Sequence, residues 1–120
     1  MKLYLAHSSG YDYEAELYVP LKAALASEHE IFFPHDVDAS GVMSKDIIPT
    51  CDAILAEVSF ASTGQGIELG WADARNIPII CFYRTGTNVS SALQLISKSM
   101  SEYSTPEAMV NLLRTEIEKL

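Results

Sequence analysis

Positive charge is what this chain has little of: eight Lys and Arg stand against 16 Asp and Glu, a formal net charge of −8. A field of that sign repels polyanions, which excludes DNA, RNA and anionic membrane surfaces as expected partners. It does not exclude a small phosphorylated ligand, because the backbone N–H groups at a helix start bind one phosphate without any net positive charge. Cysteine is also scarce. Cys51 and Cys81 have no metal-ligand spacing and no nearby His partner, so they read as small buried hydrophobes in a reducing compartment. No group of His, Cys and carboxylates has metal spacing, and neither a metal nor a cofactor is expected.

Long apolar runs are missing as well. None approaches the ~20 residues that a membrane-spanning helix needs, and the opening Met1-Lys2-Leu3-Tyr4-Leu5-Ala6-His7 turns polar too early for the apolar region of a signal peptide. A soluble, cytoplasmic protein is expected. Linkers, repeats and low-complexity tracts are absent, while 48% hydrophobic and 20% charged residues are too apolar a mixture for disorder. Residues 1–120 are therefore expected to fold as one domain around a single core.

What is present is an alternation of short apolar runs with amphipathic stretches, the pattern of βα units on a parallel sheet. Strands are predicted at Lys2 to Ala6, Ile31 to Phe33, Ala53 to Val58 and Pro78 to Phe82, with a fifth near Met100 to Tyr103. Leu17, Val19, Leu21, Ala24 and Leu25 carry helical spacing within 13–27, where Pro20 kinks the helix or starts a new turn. Ser44 to Thr50 predicts a short helix with Ser44 as N-cap. Gly66 to Asn76 predicts a helix entered through a glycine-rich turn. Thr105-Pro106-Glu107 is a cap, N1-proline and acidic first turn for a last helix through Leu120. The fold expected is an α/β three-layer sandwich of flavodoxin-like or Rossmann-like type, with a parallel sheet of about five strands and ligands beyond the carboxyl ends of the strands.

The richest of the loops at that end runs Ser59-Phe60-Ala61-Ser62-Thr63-Gly64-Gln65-Gly66-Ile67-Glu68-Leu69-Gly70-Trp71. Gly64 and Gly66 permit close approach of a ligand, Ser62 and Thr63 offer hydroxyls, and the following helix points N–H groups at the same place. A phosphate-sized anion site is predicted there. Glu68 is placed in the first turn, where the helix dipole favours its ionised form; taken alone, it reads as a capping-box glutamate. Glu57 ends the third strand, facing either the ligand or a satisfied core position. His35 follows the second strand, where it lines a base pocket, assists proton transfer or is structural. His7 stands at the equivalent end of strand one, His29 reads as a surface residue, and Trp71 reads as core.

The string Asp52-Ala53-Ile54-Leu55-Ala56-Glu57-Val58-Ser59, then Ser62-Thr63-Gly64-Gln65-Gly66-Ile67-Glu68-Leu69-Gly70-Trp71-Ala72, then Ile77-Pro78-Ile79-Ile80-Cys81 closely resembles the nucleoside 2-deoxyribosyltransferase superfamily. Within it the look is nearest to the 2′-deoxynucleoside 5′-phosphate N-hydrolases. The resemblance implies cleavage or exchange of an N-glycosidic bond in a homodimer, with a nucleotide or nucleoside as small-molecule substrate. It places the nucleophile on Glu68, an orienting tyrosine on Tyr4, and substrate contacts on Ser8, Ser62 and, reaching a neighbouring subunit, Ser91 or alternatively Ser90. Ser62 stands where the free-nucleoside transferases resemble one another in having an acid, which favours a 5′-phosphate. Gly10 replaces an arginine of the hydrolases. The family's second acid falls on Ser44 here, which leaves Asp46 as the substitute; Asp46, Asp36 or a water they hold would protonate the leaving base.

Overall fold

The computed structural model describes all 120 residues, the side chain of Asp38 excepted. Five strands form one all-parallel sheet: β1 (Lys2–His7), β2 (Glu30–Phe32), β3 (Ala53–Glu57), β4 (Ile79–Arg84) and β5 (Ser99–Tyr103), in the order β2-β1-β3-β4-β5. The helices are α1 (Val19–Ala24), α2 (Ser44–Ile47), α3 (Thr63–Ala74) and α4 (Pro106–Glu118).

Strand periodicity sorts the core into two halves, because successive side chains leave a strand on opposite faces. From β1, β3 and β4, Leu3, Leu5, Ala53, Leu55, Ile80 and Phe82 pack with Leu17, Leu21, Met109 and Leu113 of α1, α4 and the turn before α1. Tyr4, Ala6, Ile54, Ala56, Ile79 and Cys81 pack on the other face with Ile48, Leu69 and Ala72. The fold is the expected three-layer α/β sandwich. Both cysteines are free and buried, and burial pushes the Cys81 thiol up to about 12.

Boundaries depart from the sequence expectation where local hydrogen bonding decides them. The first helical stretch is split into a π-helical turn, Glu14–Tyr18, and α1, with Pro20 in the first turn of α1, where its missing N–H costs nothing. The helix expected to start at Gly66 starts at Thr63, because the Ser62 side chain accepts from the Gln65 N–H at 3.4 Å and caps it. Gly64 and Gly66 are therefore helical residues and not a glycine-rich turn; neither takes a positive φ. At the far end Thr105 caps α4, accepting from the Ala108 N–H at 3.0 Å as its sequence signature predicts. No helix among the described residues is long and apolar enough to cross a membrane.

The chain leaves β1 in one direction to β2 and returns on the other side to β3, so β1 and β3 flank the point where the winding reverses. Their pairing ends at His7↔Glu57. Sheets of this kind open a crevice at that point.

Candidate active site

A cavity of about 500 Å³ lies at this reversal point, and Tyr4, His7, Ser9, His35, Ser44, Ser62, Gln65 and Glu68 supply its polar wall. Phe32, Pro34, Val42, Ile67 and Trp71 supply the apolar one. Residues 64, 67, 68 and 71 reach it from one stripe of α3, while Gln65, Leu69 and Ala72 on the adjoining stripe are buried against the sheet. Trp71 thus lines the cavity as well as packing on the core.

The Glu68 carboxylate is half-buried and accepts a hydrogen bond from the Tyr4 hydroxyl. Tyr4 is wholly buried, and its ring stacks on Phe32 at 5.6 Å. Because α3 begins at Thr63, Glu68 sits in the second turn, beyond the reach of the helix-start charge that would hold it ionised. Burial instead raises its proton affinity above the usual carboxylate range, opposed by the Tyr4 hydroxyl, the Ser44 hydroxyl and the charge of His35. Burial and the adjoining Glu68 carboxylate hold the Tyr4 hydroxyl protonated far above the ordinary phenol range, so it is a permanent donor.

His7 is 5% exposed and neutral by construction. Its Nδ1–H donates to the Ser8 carbonyl at 2.8 Å, and its Nε2 accepts from the Tyr18 hydroxyl at 2.7 Å. Tyr18 in turn accepts from the His35 N–H at 3.0 Å. A second proton on His7 would confront the Tyr18 hydroxyl with another donor, and burial takes the imidazole down to about 4. The unfolded chain binds that proton at about 6.5, so stability is intact above that pH and is lost as pH falls toward the folded value. Between about 6.5 and about 4 the loss is at most about 3 kcal/mol. Urea midpoints measured across that range are expected to fall in the parent protein and to flatten in His7→Gln.

Gln65, 4% exposed, is a residue that sequence reading missed. Its amide N–H groups donate to the Glu57 carbonyl at 2.7 Å and the Ala6 carbonyl at 3.2 Å, tying α3 to the ends of β3 and β1. Gln65→Leu takes a donor away from two strand carbonyls and is expected to cost about 1 kcal/mol or more of unfolding free energy, read as a lower urea midpoint.

Several predicted site residues lie elsewhere. Asp46 is exposed on α2 and does not line the cavity; Ser44, two residues earlier and so on the other side of the helix, does. The Ser8 hydroxyl is buried and accepts from the Gly10 N–H at 3.1 Å, closing its own loop, and the cavity is lined by Ser9 instead. A Cβ at Gly10 would stand 3.3 Å from that hydroxyl, which fits glycine at this position. Ser62 and Gly64 do line the cavity, whereas Gly66 faces a neighbouring, mostly apolar one of about 420 Å³. That second cavity is bounded by Ser90 and not by Ser91, which is exposed. Glu57 is turned away into a network of its own, accepting from the Ser59 N–H at 2.6 Å, from the Ser59 hydroxyl at 2.9 Å and from the Tyr103 hydroxyl. Among the described residues no group of three or more His, Cys, Asp or Glu side chains is placed to hold a metal.

Fold and site together define a doubly wound α/β domain with a tyrosine-held carboxylate in a polar–apolar cleft. The chain matches no protein-family profile. Over 39 residues it is 49% identical to a Syntrophotalea carbinolica protein provisionally named a 2′-deoxynucleoside 5′-phosphate N-hydrolase. That segment is 32% of this chain and 28% of the relative's length. Among solved structures, a CMP N-glycosidase of Clostridium botulinum superposes with a TM-score of 0.71 at 19% identity, over 95% of this chain and 99% of that one. A conserved protein from Enterococcus faecalis gives 0.63 at 15% identity, covering 97% and 98%. A signal receiver domain from Vibrio parahaemolyticus gives 0.57 at 14%, covering 98% and 86%. The family resemblance read from the sequence thus has a local sequence match and a shared fold behind it. The receiver domain shares the fold too, so function has to be argued from the site.

Proposed function

We propose that the chain is an N-glycosidase acting on 2′-deoxynucleoside 5′-monophosphates, with Glu68 as nucleophile. The observation that carries this reading is the Glu68 carboxylate, which faces a cavity large enough for a nucleotide, has a tyrosine hydroxyl as its hydrogen-bond donor and forms no salt bridge among the described residues. Hydrogen-bonded on one side, such a carboxylate keeps lone pairs to attack C1′ as the base departs, giving a covalent deoxyribosyl-enzyme that water resolves with retention. The sequence match to a protein named for that activity, and the fold shared with a CMP N-glycosidase, support the class of reaction.

The cleft divides by chemistry. Phe32, Val42, Ile67 and Trp71 make a slot suited to a flat base. Ser62, Ser9 and the amino end of α3, at Gly64, make the polar end, where backbone N–H groups take a 5′-phosphate without a lysine or arginine. Ser91 would complete that end in the partner of a homodimer, and exchange of one base for another is the alternative fate of the covalent intermediate. Incubation with deoxynucleoside 5′-monophosphates, with free base followed by chromatography, tests the reading. Release of base and deoxyribose 5-phosphate is expected, whereas tight nucleotide binding without release would make the protein a sensor.

A further inference from the structure

We propose that His35 is the general acid that protonates the departing base, a reading that rests on the N-glycosidase function above. Breaking the C1′–N bond leaves an electron pair on the base, and a nucleobase is a poor leaving group until that pair takes a proton. An acid must therefore stand on the base side of the cleft. Among the described residues, the titratable side chains lining the cavity are Tyr4, His7, His35 and Glu68. Glu68 is the nucleophile, and the Tyr4 proton is committed to it. Both ring nitrogens of His7 are engaged, by the Ser8 carbonyl and the Tyr18 hydroxyl. His35 is what remains.

The two aspartates that the sequence offers for this task are removed by the fold. Asp46 is exposed outside the cavity. Asp36 is bound by the Lys22 ammonium at 2.6 Å and accepts from the Val37 N–H at 3.0 Å, and it borders a separate hollow with Ile31 and Phe33. A carboxylate so paired has no proton to give. His35, by contrast, is exposed at the rim, with its backbone fixed by the Tyr18 hydroxyl and its ring 5.1 Å from that of His7 and 5.3 Å from that of Tyr13. The groups around it are thus neutral His7 from β1, the phenols of Tyr13 and Tyr18, the Asp36–Lys22 pair next along its own loop, and the Glu68 carboxylate from α3. Imidazole is the side chain that both holds and releases a proton near neutral pH.

The step balances on these groups. A Glu68 oxygen forms a bond to C1′ while the C1′–N bond breaks, and the His35 imidazolium gives its proton to the base, which leaves neutral. The now neutral imidazole takes a proton from water as the hydroxide oxygen bonds to C1′, and the Glu68 carboxylate is released. One water is consumed and His35 ends protonated.

The test compares two leaving groups in the parent and in His35→Gln: the deoxynucleoside monophosphate cleaved fastest, and 4-nitrophenyl 2-deoxyribofuranoside 5-phosphate, whose 4-nitrophenolate departs without a proton. Read as the first-turnover rate of leaving-group release, before water resolves the glycosyl-enzyme common to both substrates, His35→Gln is expected to lose about 10²- to 10⁴-fold on the nucleotide, to lose the alkaline limb of that rate's pH profile, and to keep most of its rate on the nitrophenyl substrate. Equal losses on both substrates, or an unchanged nucleotide rate, would overturn the assignment while leaving the glycosidase reading intact. A parent inert on both substrates would overturn the glycosidase reading and the His35 assignment with it.

Discussion

Glu68→Gln is expected to reduce base release by about 10³-fold or more, because an amide oxygen at the same place is too weak a nucleophile to form the glycosyl ester. The substitution keeps the shape of the side chain and an oxygen that accepts from the Tyr4 hydroxyl, so nucleotide binding is expected to survive. Stability should not fall. The folded protein holds the Glu68 proton more tightly than the unfolded chain does, so stability declines as pH rises from the ordinary glutamate range through the raised value. A neutral amide removes that decline. Unfolding midpoints at neutral pH equal to or above those of the parent, beside lost turnover, would separate a reacting carboxylate from a structural one. Retained turnover would sink Glu68 as nucleophile.

The second large effect is expected from Tyr4→Phe. The hydroxyl is one of the influences that hold the Glu68 proton affinity down against burial, and phenylalanine keeps the ring stacked on Phe32 while removing the donor. Because attack requires the ionised carboxylate, the acid limb of the kcat/KM profile already lies above the ordinary glutamate range in the parent. It should move to higher pH in the variant, with about a tenfold loss of rate on that limb for each pH unit of displacement. A tyrosine serving only as core aromatic would leave the limb where it was, and the measured pH profile decides between the two.

Ser44 connects these expectations to the missing second acid. At the position where resemblance places a carboxylate, this chain offers a hydroxyl that lies against Glu68 and Tyr4 and lowers the proton affinity of both. A carboxylate there would work against ionisation of Glu68. Serine at 44 therefore favours the nucleophilic form and leaves the proton donor to be found elsewhere in the cleft.

The strands β1, β3 and β4 were legible in the sequence because, buried on both faces, they are short unbroken apolar runs set between amphipathic stretches, and the cap at Thr105 is a local hydrogen bond. Those features determined the α/β sandwich and singled out the Ser62–Trp71 segment and Glu68. Position relative to a cleft is different in kind. Ser8 against Ser9, Asp46 against Ser44 and Ser91 against Ser90 differ by one or two residues, and one residue reverses or rotates the direction of a side chain. Only the stacked layers decide which of each pair meets the cavity. The start of α3 at Thr63 moved Glu68 out of the first turn, and packing against the sheet then set its proton affinity by burial. The locking of His7, the reach of Gln65 across two strand ends and the pairing of Asp36 with Lys22 join residues far apart in the chain, so only the tertiary structure decided them. Local hydrogen bonding and periodicity act over a few residues, whereas solvent exclusion and charge pairing act through space.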